Sequence, residues 1–138
     1  MSDVAYIALG SNIGDREGML ARGRAAIAGS PDTSLMAESS VEETAPLGPI
    51  PQGPYLNQMV MVETDLTPRA LLSALQAIEQ SAGRVRTERW APRTLDLDIV
   101  LIEGKEFSDD VLTVPHPELP NRDFWQRELD ELRGVHHG

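Results

Sequence analysis

Arginines and aspartates are concentrated in one short stretch of the chain. Arg84, Arg86, Arg89 and Arg93 are four of the twelve basic residues of a chain whose net charge is -10, and Asp96 and Asp98 follow them. Guanidinium groups match phosphate oxygens through paired hydrogen bonds. Magnesium commonly binds one or two carboxylates and completes its shell with water and substrate phosphates. The stretch therefore predicts a site for phosphates and metal, which is typical of phosphoryl-group transfer.

The two aspartates fall at the start of a predicted strand. The apolar run at 99–102 indicates a strand over 95–102, because branched apolar residues favour strands. Side chains alternate between faces, so Asp96 and Asp98 would share one face, with α-carbons about 6 to 7 Å apart. Leu95, Leu97, Ile99 and Leu101 would take the other face. The alternative is a solvated strand end whose aspartates pair with the arginines, but unpaired charge beside a buried strand costs on the order of several kcal/mol.

The segment Arg-Trp-Ala-Pro-Arg-Thr-Leu-Asp-Leu-Asp-Ile at 89–99 resembles the signature of the 6-hydroxymethyl-7,8-dihydropterin pyrophosphokinases of folate biosynthesis. Four further segments match in family order: Gly-Ser-Asn at 10–12, Pro-Leu-Gly-Pro at 46–49, Tyr-Leu-Asn at 55–57 and Leu-Thr-Val-Pro-His-Pro at 112–117. The resemblance covers residues 6–124, and it has two departures. Ala91 stands where the family usually has glycine, and the chain stops soon after Leu132, without the longer C-terminal tail of typical members.

The resemblance implies an enzyme in which the pterin hydroxymethyl oxygen attacks the β-phosphorus of ATP and AMP leaves. Asp96 and Asp98 would hold two Mg²⁺ ions, while Arg84 and Arg93 would neutralise developing charge. No strong general base is evident, and a loose transition state depends chiefly on positioning and electrostatics. The positions that the resemblance assigns to ATP are Gln76, Thr113, His116 and Arg122.

The resemblance also implies a pterin pocket. Asn57 interrupts an apolar strand pattern, and its amide offers both the donors and the acceptor that a pterin edge requires. Without the family match, each of these residues has a simpler explanation. Asn57 would form hydrogen bonds to neighbouring backbone, and His116 would have a structural role. Gln76 and Glu79 would be exposed to solvent. Trp90 would lie on a loop that closes and excludes water. The positions assigned to the pterin are Thr44, Leu47, Tyr55, Asn57, Glu79, Trp90 and Phe124.

The elements that must position these residues can be predicted from periodicity and capping signals. Thr67 and Pro68 are typical of a helix start, and Gly83 of its end. Gly10 and the residues after it predict a turn into a helix. The proline-rich segment 45–54 predicts a loop. The predicted strands are 4–9, 35–44, 55–64 and 95–102, followed by short-strand or irregular structure at 107–114, and the predicted helices are 15–28, 67–83 and 123–133.

This order predicts an α+β sandwich of the ferredoxin-like βαββαβ type, with an antiparallel sheet and helices on one face. A length of 138 residues with 41% hydrophobic residues fits one domain, 1–138, with a short C-terminus. His136 and His137 are expected to form a frayed tail.

Composition limits the partners. The chain has no cysteine and therefore no disulfide. No apolar run approaches the length of a membrane span, the N-terminal Met-Ser-Asp begins no signal peptide, and the acidic balance argues against non-specific nucleic-acid binding. We expect a cytoplasmic monomer whose partners are the small molecules ATP and hydroxymethyl-dihydropterin. The alternative is a non-catalytic ferredoxin-like module that binds a nucleotide or metal for regulation.

Overall fold

The computed structural model describes residues 2–12, 14–45, 54–82 and 95–137, with side chains as far as residue 134. Within these ranges the elements are β1 (Asp3–Ser11), α1 (Arg16–Ala28), β2 (Thr33–Glu38), β3 (Glu42–Thr44), β4 (Tyr55–Thr64), α2 (Pro68–Ser81), β5 (Asp96–Ile102), β6 (Phe107–Ser108), β7 (Thr113–Val114) and α3 (Asp123–His137), with a short 3-10 helix at Leu119–Asn121 before α3. None of the described helices is long and apolar enough to cross a membrane.

The predicted order of strands and helices is confirmed, with two differences. The strand expected over 35–44 is interrupted, so that β2 and β3 are separate strands. Helix α3 continues to His137, which corrects the expectation that the two terminal histidines form a frayed tail.

The main sheet is antiparallel and follows the order β2-β4-β1-β5. Strand β3 pairs with the opposite end of β4 from β2. Strands β6 and β7 form a separate two-stranded ribbon. The ferredoxin-like α+β class is therefore confirmed, and β1 is the strand that pairs with both β4 and β5.

The two faces of the sheet are covered by different helices. Leu20 and Ile27 of α1 and Leu71 and Leu75 of α2 pack into one apolar cluster with strand residues such as Ile7. A second cluster contains Tyr6, Met59 and Met61 together with Trp125, Leu129 and Leu132 of α3. The expectation of helices on one face therefore holds for the two helices of the βαββαβ unit, whereas α3 covers the other face.

A shift in pairing changes the direction of side chains in β5. Tyr6 pairs with Leu101 and Ile7 pairs with Ile99, so that Val100 has no partner of its own on β1. A bulge of this kind places an extra residue in one strand and reverses the alternation beyond it. Val100 and Leu101 accordingly pack in the cluster that contains α3. The prediction that Leu101 shares a face with Leu97 and Ile99 is wrong for this reason.

Gly23 lets α1 approach the sheet closely. A Cβ atom at Gly23 would lie 2.9 Å from Cδ2 of Leu9 and 3.2 Å from Cδ2 of Leu95. Glycine inside a helix costs about 1 kcal/mol relative to alanine. At this position the cost is offset by close packing against two core leucines, which helix propensity alone does not reveal.

Helix α3 carries a buried carboxyl group at its contact with β3. Glu128 is only 1% exposed. Burial, followed by the effect of nearby Glu42 on β3, raises the pKa of Glu128 to about 9. Arg127 pairs with Glu42 at 3.0 Å, and Glu131 accepts hydrogen bonds from the backbone and hydroxyl of Ser40. Glu128 is therefore protonated at neutral pH.

We predict that Glu128→Gln increases stability, and that the gain grows with pH. Below the ordinary pKa of 4.5, the Glu128 carboxyl is protonated in both the folded and the unfolded protein. Above this pH the carboxyl ionises in the unfolded protein, whereas in the folded protein it keeps its proton up to about pH 9. The free energy of unfolding therefore falls as pH rises through this window. Glutamine removes this dependence, so the free energy of unfolding at about pH 8 should be higher for the variant than for wild type by about 1 kcal/mol or more. Thermal unfolding measures this difference.

Asp130→Asn is the matched control, because it makes the same kind of change at an exposed position of α3. This control should retain the pH dependence of the wild type. Equal stability of Glu128→Gln and wild type at both about pH 5 and about pH 8 would contradict a protonated Glu128.

Candidate active site

A pocket of about 310 Å³ lies where the ends of β1, β4 and β5 meet the start of α3. Predicted site residues that line it are Thr44, Tyr55, Asn57, Glu79, Asp96, Asp98, Arg122 and Phe124. The remaining lining residues are Ala8, Leu9, Gly10, Ala45 and Trp125. Residues predicted for metal, for ATP and for pterin thus share one pocket.

The register of β1 brings the two sides of the pocket together. Gly10 pairs with Asn57 on β4 and with Asp96 on β5. A Cβ atom at Gly10 would lie 3.5 Å from the side-chain oxygen of Asn57, so a longer side chain would enter the pocket. Gly10 belongs to β1 rather than to the turn predicted from the sequence, and its role in the pocket was missed because only its strand partners reveal it.

Asp96 and Asp98 lie at the start of β5, and both are partly exposed. The backbone N–H of Leu97, between them, donates a hydrogen bond of 2.7 Å to Oε2 of Glu79 on α2. This bond fixes the edge of β5 at the level of both aspartates. Glu79 therefore contacts the strand that carries both aspartates as well as lining the pocket.

The two carboxylates fit a magnesium site that is completed by a ligand. Among the residues that the structure describes, no group of three or more His, Cys, Asp or Glu side chains could hold a metal ion. A closed protein cage is thus absent from that part of the chain. Magnesium typically binds one or two carboxylates and takes its other oxygens from water and substrate phosphates, which is the donor set that Asp96 and Asp98 offer.

His116 lies beside Asp98, with Nε2 at 3.9 Å from Oδ1. Its Nδ1 accepts a hydrogen bond of 3.0 Å from the backbone N–H of Glu118. In the neutral ring the proton is therefore on Nε2, facing Asp98. Burial lowers the pKa of His116, partly offset by Asp98, while Arg122 lowers it further. His116 can consequently act as a neutral N–H donor at the edge of the pocket.

Arg122 supplies a positive charge to the same side of the pocket. Its Cζ lies 4.4 Å from the centre of the Trp125 ring. Its Nε is buried and has no hydrogen-bond partner among the described residues. A buried donor without a partner costs about 1 to 3 kcal/mol, and the contact of the guanidinium with the indole face offsets part of this cost.

The pocket lining also includes polar and aromatic groups suited to a flat heterocycle. The Asn57 amide donates a hydrogen bond of 2.7 Å to the Thr44 hydroxyl, a side-chain partner rather than the backbone partner that was the alternative. Burial raises the pKa of Tyr55, which Asp96 also raises and Arg122 lowers. Phe124 lies at the start of α3, its ring centre 6.2 Å from that of Trp125.

Three of the described predicted residues are not among the residues that line the pocket. One of them is His116, which lies beside Asp98; the other two are Gln76 and Thr113. Gln76 is on an exposed position of α2. Thr113 is exposed on β7, where its hydroxyl lies 3.3 Å from that of Ser108 across the ribbon. Four predicted site residues, Arg84, Arg93, Leu47 and Trp90, lie outside the described residues, as do Arg86, Arg89 and Ala91.

Trp125 is a pocket residue that sequence reasoning missed. Its spacing from Leu129 and Leu132 predicts a core position, and Trp125 is indeed 2% exposed and packs in the core beneath α3. It also lines the pocket. Helical periodicity identifies the buried stripe but cannot show that one member of that stripe reaches a ligand site at the helix start.

The chain is similar to known proteins along most of its length. The family model described as 7,8-dihydro-6-hydroxymethylpterin-pyrophosphokinase matches residues 6–134. A protein of Bacillus subtilis named 2-amino-4-hydroxy-6-hydroxymethyldihydropteridine pyrophosphokinase is 42% identical over 132 residues, which are 96% of this chain and 79% of the relative. A protein of the same name from Haemophilus influenzae is 44% identical over 120 residues, 87% of this chain and 75% of the relative. Another from Methylorubrum extorquens is 42% identical over 128 residues, 93% and 81% of the two chains.

Proposed function

The chain belongs to the 7,8-dihydro-6-hydroxymethylpterin-pyrophosphokinase family, and we propose that it transfers diphosphate from ATP to 6-hydroxymethyl-7,8-dihydropterin in folate biosynthesis. The products are AMP and the pterin diphosphate. The observation that carries this proposal is one pocket lined both by Asp96 and Asp98 and by Asn57 and Phe124. This arrangement brings a phosphate and metal site within reach of a site for a flat heterocycle.

Asp96 and Asp98 would hold magnesium, and we propose that they hold two ions. When bound, magnesium supplies positive charge to the phosphate oxygens as they gain charge in the transition state. Glu79 supports this site because its carboxylate accepts the hydrogen bond from Leu97, between the two aspartates. A strand edge fixed in this way presents both carboxylates without rearrangement, which lowers the cost of binding.

Charged and polar donors would bind the phosphates of ATP. His116 offers Nε2–H beside Asp98 and Arg122 offers its guanidinium, and both side chains contact Trp125. Arg84 and Arg93 are proposed to neutralise charge during transfer. Gln76 and Thr113 are proposed to contact the nucleotide beyond the pocket.

The pterin would contact other residues of the same pocket. Asn57 and Thr44, joined by a hydrogen bond, present amide and hydroxyl groups to its edge. Phe124 offers a ring for stacking. Tyr55 and Glu79 line the same space, and Leu47 and Trp90 are proposed to complete it.

Transfer then depends on orientation. The pterin hydroxymethyl oxygen attacks the β-phosphorus, the bond from this phosphorus to the α-phosphate oxygen breaks, and AMP leaves. The pocket groups hold the two substrates in line and stabilise charge on the phosphate oxygens, which together account for most of the catalysis in reactions of this type.

We also propose that residues 1–138 act as one domain, as a monomer and in the cytoplasm. Helices of the same chain pack on both faces of the main sheet, which supports a monomer. The two substrates are small molecules, and ATP is abundant in the cytoplasm.

The product of the reaction tests the proposal. Incubation of the chain with ATP, magnesium and 6-hydroxymethyl-7,8-dihydropterin should give AMP and pterin diphosphate in equal amounts, measured by chromatography. A regulatory binding module would give no product, and an ordinary kinase would give ADP. Either result would overturn the proposed activity.

We predict that Asp98→Asn lowers turnover by about two orders of magnitude or more while leaving the fold intact. A neutral amide is a poor magnesium ligand, and Asp98 is partly exposed, so its replacement removes no core packing. Turnover should be measured over a magnesium titration, with Asp110→Asn as control because it makes the same change at an exposed turn. Near-normal turnover of Asp98→Asn at saturating magnesium would refute the metal assignment.

We predict that Phe124→Ala weakens pterin binding by about tenfold, because ring stacking contributes up to about 1.5 kcal/mol beyond burial. Binding of a non-hydrolysable ATP analogue should change less. Isothermal titration calorimetry with each ligand measures both effects. Phe107→Ala is the matched control, since Phe107 packs against the α1 and α2 side of the sheet. If Phe124→Ala reduced the affinity for the ATP analogue more than the affinity for the pterin, Phe124 would belong to the nucleotide site instead.

A further inference from the structure

Trp125 contacts both Arg122 and His116, the two side chains proposed to bind the phosphates of ATP. The Arg122 guanidinium carbon lies 4.4 Å from the centre of its ring. The His116 ring lies 4.9 Å from it, centre to centre, at an angle of 85° between planes. The indole is therefore shared by two side chains that come from different segments, one following β7 and the other preceding α3.

We propose that Trp125 is a positioning residue, which holds Arg122 and His116 side by side so that both face the phosphates of ATP. This inference rests on the proposed function, because it takes the phosphates of ATP as the ligand of those two groups. Trp125 itself would act through its two neighbours.

The geometry favours a positioning role over a purely structural one. A core position beneath α3 requires an apolar side chain of sufficient volume, as Leu129 and Leu132 supply on the same helix. It does not require an aromatic face. A guanidinium is attracted to an indole face by the ring quadrupole, most strongly where water is excluded, and an edge-to-face contact with imidazole is favoured in the same way.

The contacts with Trp125 reduce the conformational entropy that Arg122 and His116 would lose when ATP binds. An arginine side chain has many rotamers, and fixing it on binding weakens affinity. Arg122 is already held on the indole, and the Nδ1 atom of His116 is already engaged by the backbone of Glu118. Both donors are therefore placed before ATP arrives, and loss of the indole should weaken binding of ATP selectively.

The test compares Trp125→Leu with Trp125→Phe. Calorimetry should show that Trp125→Leu weakens binding of a non-hydrolysable ATP analogue with magnesium by about tenfold. Trp125→Phe keeps an aromatic face and should remain within about threefold of wild type. In steady-state kinetics the KM for ATP should rise more than the KM for pterin. The proposal would be overturned if Trp125→Leu and Trp125→Phe weakened binding of the ATP analogue equally and raised the KM for ATP and the KM for pterin equally.

Leu129→Ala is the control for core packing. Leu129 belongs to the same apolar cluster as Trp125, so its truncation destabilises the fold without touching Arg122 or His116. This variant should bind the ATP analogue as wild type does. A loss of affinity equal to that of Trp125→Leu would show that packing alone explains the result.

A double-mutant cycle measures whether Trp125 acts through Arg122. If the indole positions the guanidinium, Trp125→Leu should cost much less affinity for the ATP analogue in an Arg122→Ala background than in wild type. Fully additive losses would refute the proposal. If circular dichroism shows that Trp125→Leu is unfolded at the assay temperature, Trp125→Met, which keeps more volume without a ring, takes its place in the cycle.

The outcomes separate this inference from the proposed function. A wild-type chain that binds the ATP analogue but forms no AMP refutes the activity, while the cycle still decides the role of Trp125 in binding. A wild-type chain that binds no ATP analogue refutes both, because Arg122 and His116 then have no phosphate ligand to face.

Discussion

The antiparallel pairing of β1 with both of its neighbours is the constraint on which the site depends. Gly10 pairs with both Asn57 and Asp96. The residue proposed for the heterocycle and the first residue proposed for the metal therefore lie on the two strands that flank β1. Neighbouring strands are separated by about 4.8 Å, which sets the span of the pocket before any side chain is chosen. Because a slip of one residue would turn every side chain to the opposite face, the register has to be fixed by the apolar cores on both sides.

The two apolar cores differ in how closely their helices cover the sheet. Helices α1 and α2 pack tightly on one face, where Gly23 leaves no space for an added methyl group beside Leu9. On the other face α3 covers only part of the sheet, and the pocket lies where α3 begins. The bulge at Val100 lets β5 serve both purposes, because it turns Leu101 towards α3 while Leu97 and Ile99 remain in the first core. The strand that carries Asp96 and Asp98 at its start is thus anchored by apolar contacts on both faces at its end.

Sequence periodicity predicted the parts of this arrangement that are local. The two-residue alternation placed Asp96 with Asp98 and Asn57 with Met59, and Thr67 and Pro68 marked the start of α2, where the Thr67 hydroxyl accepts from the backbone of Ala70. Apart from the break between β2 and β3 and the C-terminal end of α3, the misplaced or missed features are tertiary. The bulge at Val100 is visible only in the pairing of two strands, the face covered by α3 depends on its packing, and Gly10 and Trp125 reach the pocket through partners distant in the sequence.

Helix α3 begins at the pocket and carries a buried carboxyl group one turn later. The chain has a net charge of -10, yet the proposed ligand is a polyphosphate, so negative potential close to the pocket opposes binding. Glu128 is four residues after Phe124 on α3, about one helical turn away. Because burial raises its pKa to about 9, Glu128 is neutral at physiological pH and adds no negative charge behind the pocket. Burial of this carboxyl costs stability at neutral pH, but it removes one negative charge from the helix that begins at the pocket.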